Sequence, residues 1–224
     1  MAKEKLRKKR KKKNSIDVRV IFGIGNPGNR YLYNRHNIGS MFLDYFANSL
    51  SCSFKPSKSD YYFAEGKLAN QSFSLIKPST YVNNSGIAAL QAIQNYKTEI
   101  EDFLFVYDDL NLEFPDLRVR ASGGDGGHNG LNSVIYHLAS EDFSRIRFGI
   151  GNDFEKGKMA EYVLTDFNNE EMSQLKNTFD EGINLVEEFI SGGTKKLLDA
   201  NSKMAKIKNE KKSLNDSKSN PENL

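Results

Sequence analysis

The sequence predicts a single α/β domain with a polar segment at each end, and three observations carry that expectation. The chain has 224 residues, 38% hydrophobic and 27% charged, enough for one good-sized core. Short apolar runs of strand type, at 18–22 and 103–107, alternate with stretches whose apolar residues recur at helical spacing, at 37–50, 85–97, 130–139 and 168–191. Charge collects at the ends. Residues 1–13 hold nine Lys or Arg against one Glu, and 201–224 hold six Lys against three acids, which leaves −8 on 14–200 within a total of +3. The domain is therefore expected over 15–200, with a disordered basic extension over 1–14 and a polar, disordered tail over 201–224.

Several function classes drop out at this level. No apolar run approaches the roughly 20 residues needed to cross a bilayer. Cys52 is the single cysteine and cannot form an internal disulfide, which points to the reducing cytoplasm. The basic start resembles the beginning of a signal peptide, but Asp17 and Arg19 interrupt the apolar stretch that should follow. The extension reads either as a solubilising segment or as a non-specific tether to a polyanion, since each Lys or Arg can neutralise a phosphate. The body is acidic, so any nucleic-acid contact there must come from a local patch.

The first strand runs into Gly23-Ile24-Gly25-Asn26-Pro27-Gly28, formally a G-x-G-x-x-G. A dinucleotide site is rejected because Pro27 has no N–H for a pyrophosphate, and 29–35 is polar and aromatic where a phosphate-capping helix should begin. The first carboxylate at a suitable distance, Asp44, lies in mid-helix. The helix over 37–50 carries Ile38, Met41, Phe42, Tyr45 and Phe46 on one face, and His36 stands just ahead of it, after Tyr31 and Arg35. Residues 60–69 and 72–77 read as a hairpin closed by Asn70-Gln71. Pro78 then makes the approach to the next helix extended, and Asn84 or Ser85 suits its cap. The Asn/Ser cluster offers both caps and ligands, and a cap explains Asn83 less well because it precedes that position.

The strand over 103–107 ends in Asp108-Asp109-Leu110. Open α/β sheets place their sites at such carboxyl ends, where a carboxylate suits a metal or a histidine partner. Strand alternation lets at most one of the two face a site, and a two-metal centre would want further carboxylates nearby, which the sequence lacks. Arg118 and Arg120 then share one strand face, and Arg145 and Arg147 repeat the pattern; together they form either a phosphate patch or a solvated sheet edge. Between them, Gly123-Gly124-Asp125-Gly126-Gly127-His128-Asn129-Gly130 opens into a helix. Glycines there are consistent with a turn and cap, or with backbone N–H groups offered to an anion or carbonyl. The embedded His128-Asn129 pair favours a site, whereas His137, inside the apolar helix, reads as structural.

Six segments in this order resemble the bacterial-type peptidyl-tRNA hydrolase over about 17–200: 23–28, Arg35-His36-Asn37, 77–83, Asp108-Asp109-Leu110, 126–130 and 145–151. The resemblance implies a twisted mixed β-sheet flanked by helices, and hydrolysis of the ester joining a peptide to the 3′-terminal adenosine of tRNA. It puts His36 at the catalytic base and Asp108 at the carboxylate that orients it. Asn26, Asn83 and Asn129 fall on positions that hold the peptide backbone and the attacking water, and His128 on a site-lining histidine. Tyr31 and Tyr81 fall in the substrate-binding region, and Arg118, Arg120, Arg145 and Arg147 where basic residues face tRNA phosphates. The implied substrate is peptidyl-tRNA, hydrolysed without a metal or cofactor, and the protein itself is expected to be a cytoplasmic monomer. Two positions depart from the pattern: Val82 stands where a methionine is usual in the substrate wall, and Asp125 at a variable position.

The chemistry suits these residues. An ester needs an activated water and no metal, and a neutral imidazole is available at cellular pH because its pKa is about 6.5. A carboxylate on the far ring nitrogen selects the tautomer and stabilises the imidazolium. Asparagine amides bond to peptide backbone whatever the side chains are, and glycine-loop N–H groups can receive a developing oxyanion. The rival expectations are a non-catalytic RNA-binding relative, against which His36, Asp108 and Asn26 together weigh, and a nicotinamide-dependent oxidoreductase, against which Pro27 weighs.

Overall fold

The computed structural model describes residues 18–218, so the basic extension and residues 219–224 lie outside the described residues. Seven strands form one mixed sheet: β1 (Val18–Gly23), β2 (Lys55–Pro56), β3 (Tyr61–Leu68), β4 (Gln71–Pro78), β5 (Phe103–Asp109), β6 (Leu117–Arg120) and β7 (Ser144–Gly149), in the spatial order β2-β3-β4-β1-β5-β7-β6. The β4–β1, β1–β5 and β5–β7 pairs are parallel; β2–β3, β3–β4 and β7–β6 are antiparallel. Helix α1 (Ile38–Ser49) and the long α5 (Asn169–Lys218) cover one face, with Ile21, Phe42, Phe148 and Phe179 in that layer. Helices α2 (Ser85–Tyr96) and α3 (Asn129–Leu138) cover the other, over Phe22, Ala89, Phe105 and Leu131; a short α4 (Met159–Val163) completes the set. Burial on both faces is why β1 and β5 read as continuous apolar runs and not as alternating ones.

Two expectations change. The hairpin turn is Ala69-Asn70, both at positive φ (47° and 67°), and Gln71 already pairs with Leu68. A two-residue turn of this hand matches the twist of its strands. The tail beyond 200, expected to be disordered, is helical through Lys218. The helix breaks at Gly192 and Gly193 and restarts; Leu197, Leu198 and Met204 then reach the core, and Lys208 Nζ pairs with Glu181 Oε2 at 2.6 Å. Lys, Ala, Met and Glu are good helix formers, so sparse apolar contacts suffice once the first turn is anchored.

The chain leaves β1 toward α1 and returns on one side of β1, then leaves β4 toward α2 and returns as β5 on the other. The carboxyl ends of β1 and β5 therefore flank a topological switch point, the usual place for a site in an open α/β sheet. Gly39 sets how closely α1 approaches it, since a Cβ there would lie 2.3 Å from the Val106 carbonyl oxygen and 2.7 Å from that of Ile24. Both neighbours are backbone and cannot step aside. Gly39→Ala is expected to lower stability by about 1–3 kcal/mol despite alanine's better helix propensity. The urea midpoint measures this, and an unchanged midpoint would show that α1 moves off the sheet freely.

Candidate active site

Asn26 follows β1, and its backbone is clamped by the buried Asn37 side chain: Asn37 Oδ1 accepts the Asn26 N–H at 2.8 Å and Asn37 Nδ2 donates to the Asn26 carbonyl at 2.9 Å. Asn26 Oδ1 in turn accepts the Val82 N–H at 3.0 Å, which orients the amide and reserves Nδ2 as a donor. Asn37 sits beside His36 in the sequence but carried no signal of this role, because the clamp exists only once the 23–28 segment folds against it.

His36 lies in the single turn Arg35–Asn37 that precedes α1, and its Nδ1 is 2.8 Å from Asp108 Oδ1 at the end of β5. The turn is pinned from behind. Arg35 donates to Glu171 at 2.8 Å, and its guanidinium lies 4.9 Å from the ring centres of both Tyr162 and Phe167. Asp109 points away from the histidines, binding Arg147 at 2.6 Å and the Asn111 N–H at 2.8 Å, as strand alternation requires.

His36 is not the only histidine on that carboxylate. His128 Nε2 lies 2.9 Å from the same Asp108 oxygen, and the two rings are 4.9 Å apart. His128 also caps α3, its Nδ1 accepting the Leu131 N–H at 3.0 Å. An accepting Nδ1 places the neutral ring's proton on Nε2, so His128 donates to Asp108. A carboxylate accepting from both rings leaves His36 Nδ1 protonated and His36 Nε2 bare. That bare nitrogen is the one basic atom the arrangement reserves.

The electrostatics point the same way. Burial opposes charge on Asp108, but the two histidines outweigh it and hold the carboxyl well below the usual carboxylate range. Burial likewise opposes charge on His36, and the charge and hydrogen bond of Asp108 overcome it, so that its pKa stands above 6.5. Tyr107, edge-on to His128 at 5.0 Å, is pushed up to about 12 mainly by burial and stays neutral. His36, Asp108 and His128 are also the one metal-like group among the described residues, their ligand atoms within 4.8 Å of one another. Both nitrogens, however, face the carboxylate as N–H donors, and a cation would have to displace both protons.

Asn83, in the turn Val82–Asn84, and Asn129, at the start of α3, meet across an open groove of about 410 Å³ beside this cluster. The pattern of the peptidyl-tRNA hydrolase family matches residues 20–212, which takes in every group just described. The chain belongs to that family. It is 38% identical over 181 residues to the peptidyl-tRNA hydrolase of Pseudothermotoga lettingae, covering 81% of this chain and 95% of the relative. It is 41% identical over 175 residues to that of Azobacteroides pseudotrichonymphae, covering 78% and 94%. The crystal structure of the peptidyl-tRNA hydrolase from Acinetobacter baumannii superposes with a TM-score of 0.77 at 28% identity, over 85% of this chain and 95% of that one.

The remaining expected residues of this peptidyl-tRNA hydrolase fold divide sharply. Tyr31 and Tyr81 form an edge-on pair 6.4 Å apart, with Tyr81 exposed. Val82 is 4% exposed and packs against Gly130. Asp125 accepts the Gly127 N–H at 2.6 Å and Asn132 Nδ2 at 2.7 Å, which staples the glycine loop to α3. Gly126 and Gly127 turn the loop at φ 61° and 84°, where a side chain would be strained.

The four arginines share one sheet face through the pairs Arg118↔Arg147 and Arg120↔Arg145, yet only two are free to meet a phosphate. Arg145 is 2% exposed, and it spends its two terminal nitrogens on the carbonyls of Gly124 and Glu141, each at 3.0 Å. It supports the glycine loop from below, which corrects the expectation that it faces tRNA. Arg147 is half-buried and committed to Asp109. Arg118 and Arg120 stand exposed on the edge strand β6.

Proposed function

We propose that this chain hydrolyses the ester between a peptide and the 3′-terminal adenosine of tRNA, releasing free peptide and free tRNA. The observation that carries the reading is the His36–Asp108 pair, with His36 Nε2 left bare at the switch point of the sheet. In the proposed reaction, His36 Nε2 takes a proton from a water as that water's oxygen attacks the ester carbonyl. Asp108 holds the ring and offsets the positive charge it acquires. Asn26 Nδ2, with Asn129 and the glycine loop, supplies donors for the oxygen that gains negative charge. The imidazolium then returns the proton to the departing 3′-oxygen, and the C–O bond breaks. No metal or cofactor takes part. Among the described residues no helix is long and apolar enough to cross a membrane. Incubating the purified protein with peptidyl-tRNA and following release of free tRNA tests the reading, and absence of release would refute it.

The tRNA body is proposed to rest on Arg118 and Arg120, with residues 1–13 as a further electrostatic tether. Replacing both arginines by alanine is expected to raise KM for peptidyl-tRNA while sparing a peptidyl-adenosine substrate. The slope of log(kcat/KM) against log salt should flatten by about one for each lost phosphate contact. Deleting residues 1–13 should lower kcat/KM at low salt only, because its reach is screened over about 10 Å at 0.1 M. Equal losses on both substrates, or coincident salt curves for the truncated chain, would refute the respective contact.

A further inference from the structure

The groove that begins at Asn83 and Asn129 does not end there. It continues along α3 past Asn132, Ser133, Tyr136 and His137. Its floor is held rigidly: Ser133 Oγ accepts the Gly86 N–H of α2 at 3.1 Å, and His137 Nδ1 donates to the Ser133 carbonyl at 2.8 Å. That bond leaves the outer nitrogen of His137 as an acceptor, and Asn132 keeps its Oδ1 after giving Nδ2 to Asp125. Tyr136 is 79% exposed, the most exposed large hydrophobic side chain among the described residues, and meets His137 edge-on at 5.3 Å. His137, expected from the sequence to be structural, makes its bond to Ser133 within its helix and also lines the groove.

We infer that this groove between α2 and α3 holds the second and third residues of the peptide, counted from the ester, and that Tyr136 and His137 help set preference among them. The inference rests on the proposed placement of Asn83 and Asn129 at the peptide backbone. None of the six lining residues carries a fixed charge, whereas the exposed arginines that suit phosphates lie on β6. A neutral, amide-rich trough with one aromatic wall fits a peptide better than a phosphate-bearing strand. The lengths agree as well. From Asn129 to His137 the helix advances about 12 Å at about 1.5 Å per residue, which an extended chain covers in about three to four residues.

Binding separates this groove from the chemical step. Adenosine carrying N-acetyl-leucine or N-acetyl-trileucine through a 3′-amide cannot be hydrolysed as an ester, and the Kd of each is measured against the full chain. The trileucyl compound is expected to bind more tightly, and Tyr136→Ala to weaken it by about three- to tenfold more than the leucyl compound, the range of a single aromatic packing contact. Tyr136→Phe should keep the difference, because the ring face and not the hydroxyl makes the contact. Equal weakening of both compounds, no weakening of either, or a Phe variant as impaired as the Ala variant would overturn the inference. If the proposed hydrolysis were wrong, peptidyl-tRNA would survive the protein while this difference in Kd persisted, so the two failures are distinguishable.

Discussion

Replacing His36 by alanine is expected to lower kcat for peptidyl-tRNA hydrolysis by about 10²- to 10⁴-fold, the usual contribution of a general base, with little change in KM. The fold should survive. Asp108 is buried, and a buried carboxylate stripped of its partners is costly, but His128 still donates to the same oxygen at 2.9 Å when His36 is gone. The variant therefore separates chemistry from folding: its melting temperature and its affinity for tRNA should match the wild type while turnover collapses. His128→Ala makes the contrast. It removes a helix cap and one partner of Asp108 but leaves His36 and its carboxylate in place, so its loss of kcat should be the smaller. A His36→Ala loss below about tenfold, or a larger loss in the His128 variant, would assign the base to the wrong ring.

Asp108→Asn should lower kcat by about ten- to a hundredfold, since a hydrogen bond to a charged group contributes about 1.5–3 kcal/mol and each 1.4 kcal/mol is a factor of ten. Its more telling effect is on pH dependence. In the wild type the Asp108 carboxylate holds the His36 pKa above 6.5 against the opposing effect of burial. The neutral ring is the base, so kcat/KM should rise with pH through that value and level off above it. With asparagine at 108 the charge is gone and burial acts alone, which moves the midpoint to lower pH. Asp109→Asn supplies the control, because Asp109 faces Arg147 and should leave the midpoint where it is. A midpoint that stays put in the Asp108 variant would show that this carboxylate does not tune the ring.

The difference between Asp108 and Asp109 marks the limit of what side-chain identity conveys. Both are buried at the end of one strand, and alternation told that only one could face the site. Which one, and that it would receive two imidazoles, depends on where the Arg35–Asn37 turn and α3 come to rest. The arginines follow the same rule. Four alternating residues on two strands predicted a shared face, and the pairing of β6 with β7 bears that out. Neither strand alone reveals that Arg145 is packed beneath the glycine loop and bonded to the Gly124 and Glu141 carbonyls, where it cannot meet a tRNA phosphate.

By itself, the sequence determined whatever depends on neighbours in the chain. The buried strands, three of the main helices to within a residue or two, the start of the fourth, and the placement of Asn26, His36, Asp108 and His128 at element ends all follow from periodicities of two and 3.6 and from glycine and proline punctuation. So did the family, through short motifs in a fixed order. Only the tertiary structure decided the rest: the second histidine on Asp108, the Asn37 clamp, the burial of Arg145, the open groove at His137 and the helix beyond residue 200. Most of these depend on how separate elements come to rest against one another, and on distances of about 3 Å that no local pattern encodes.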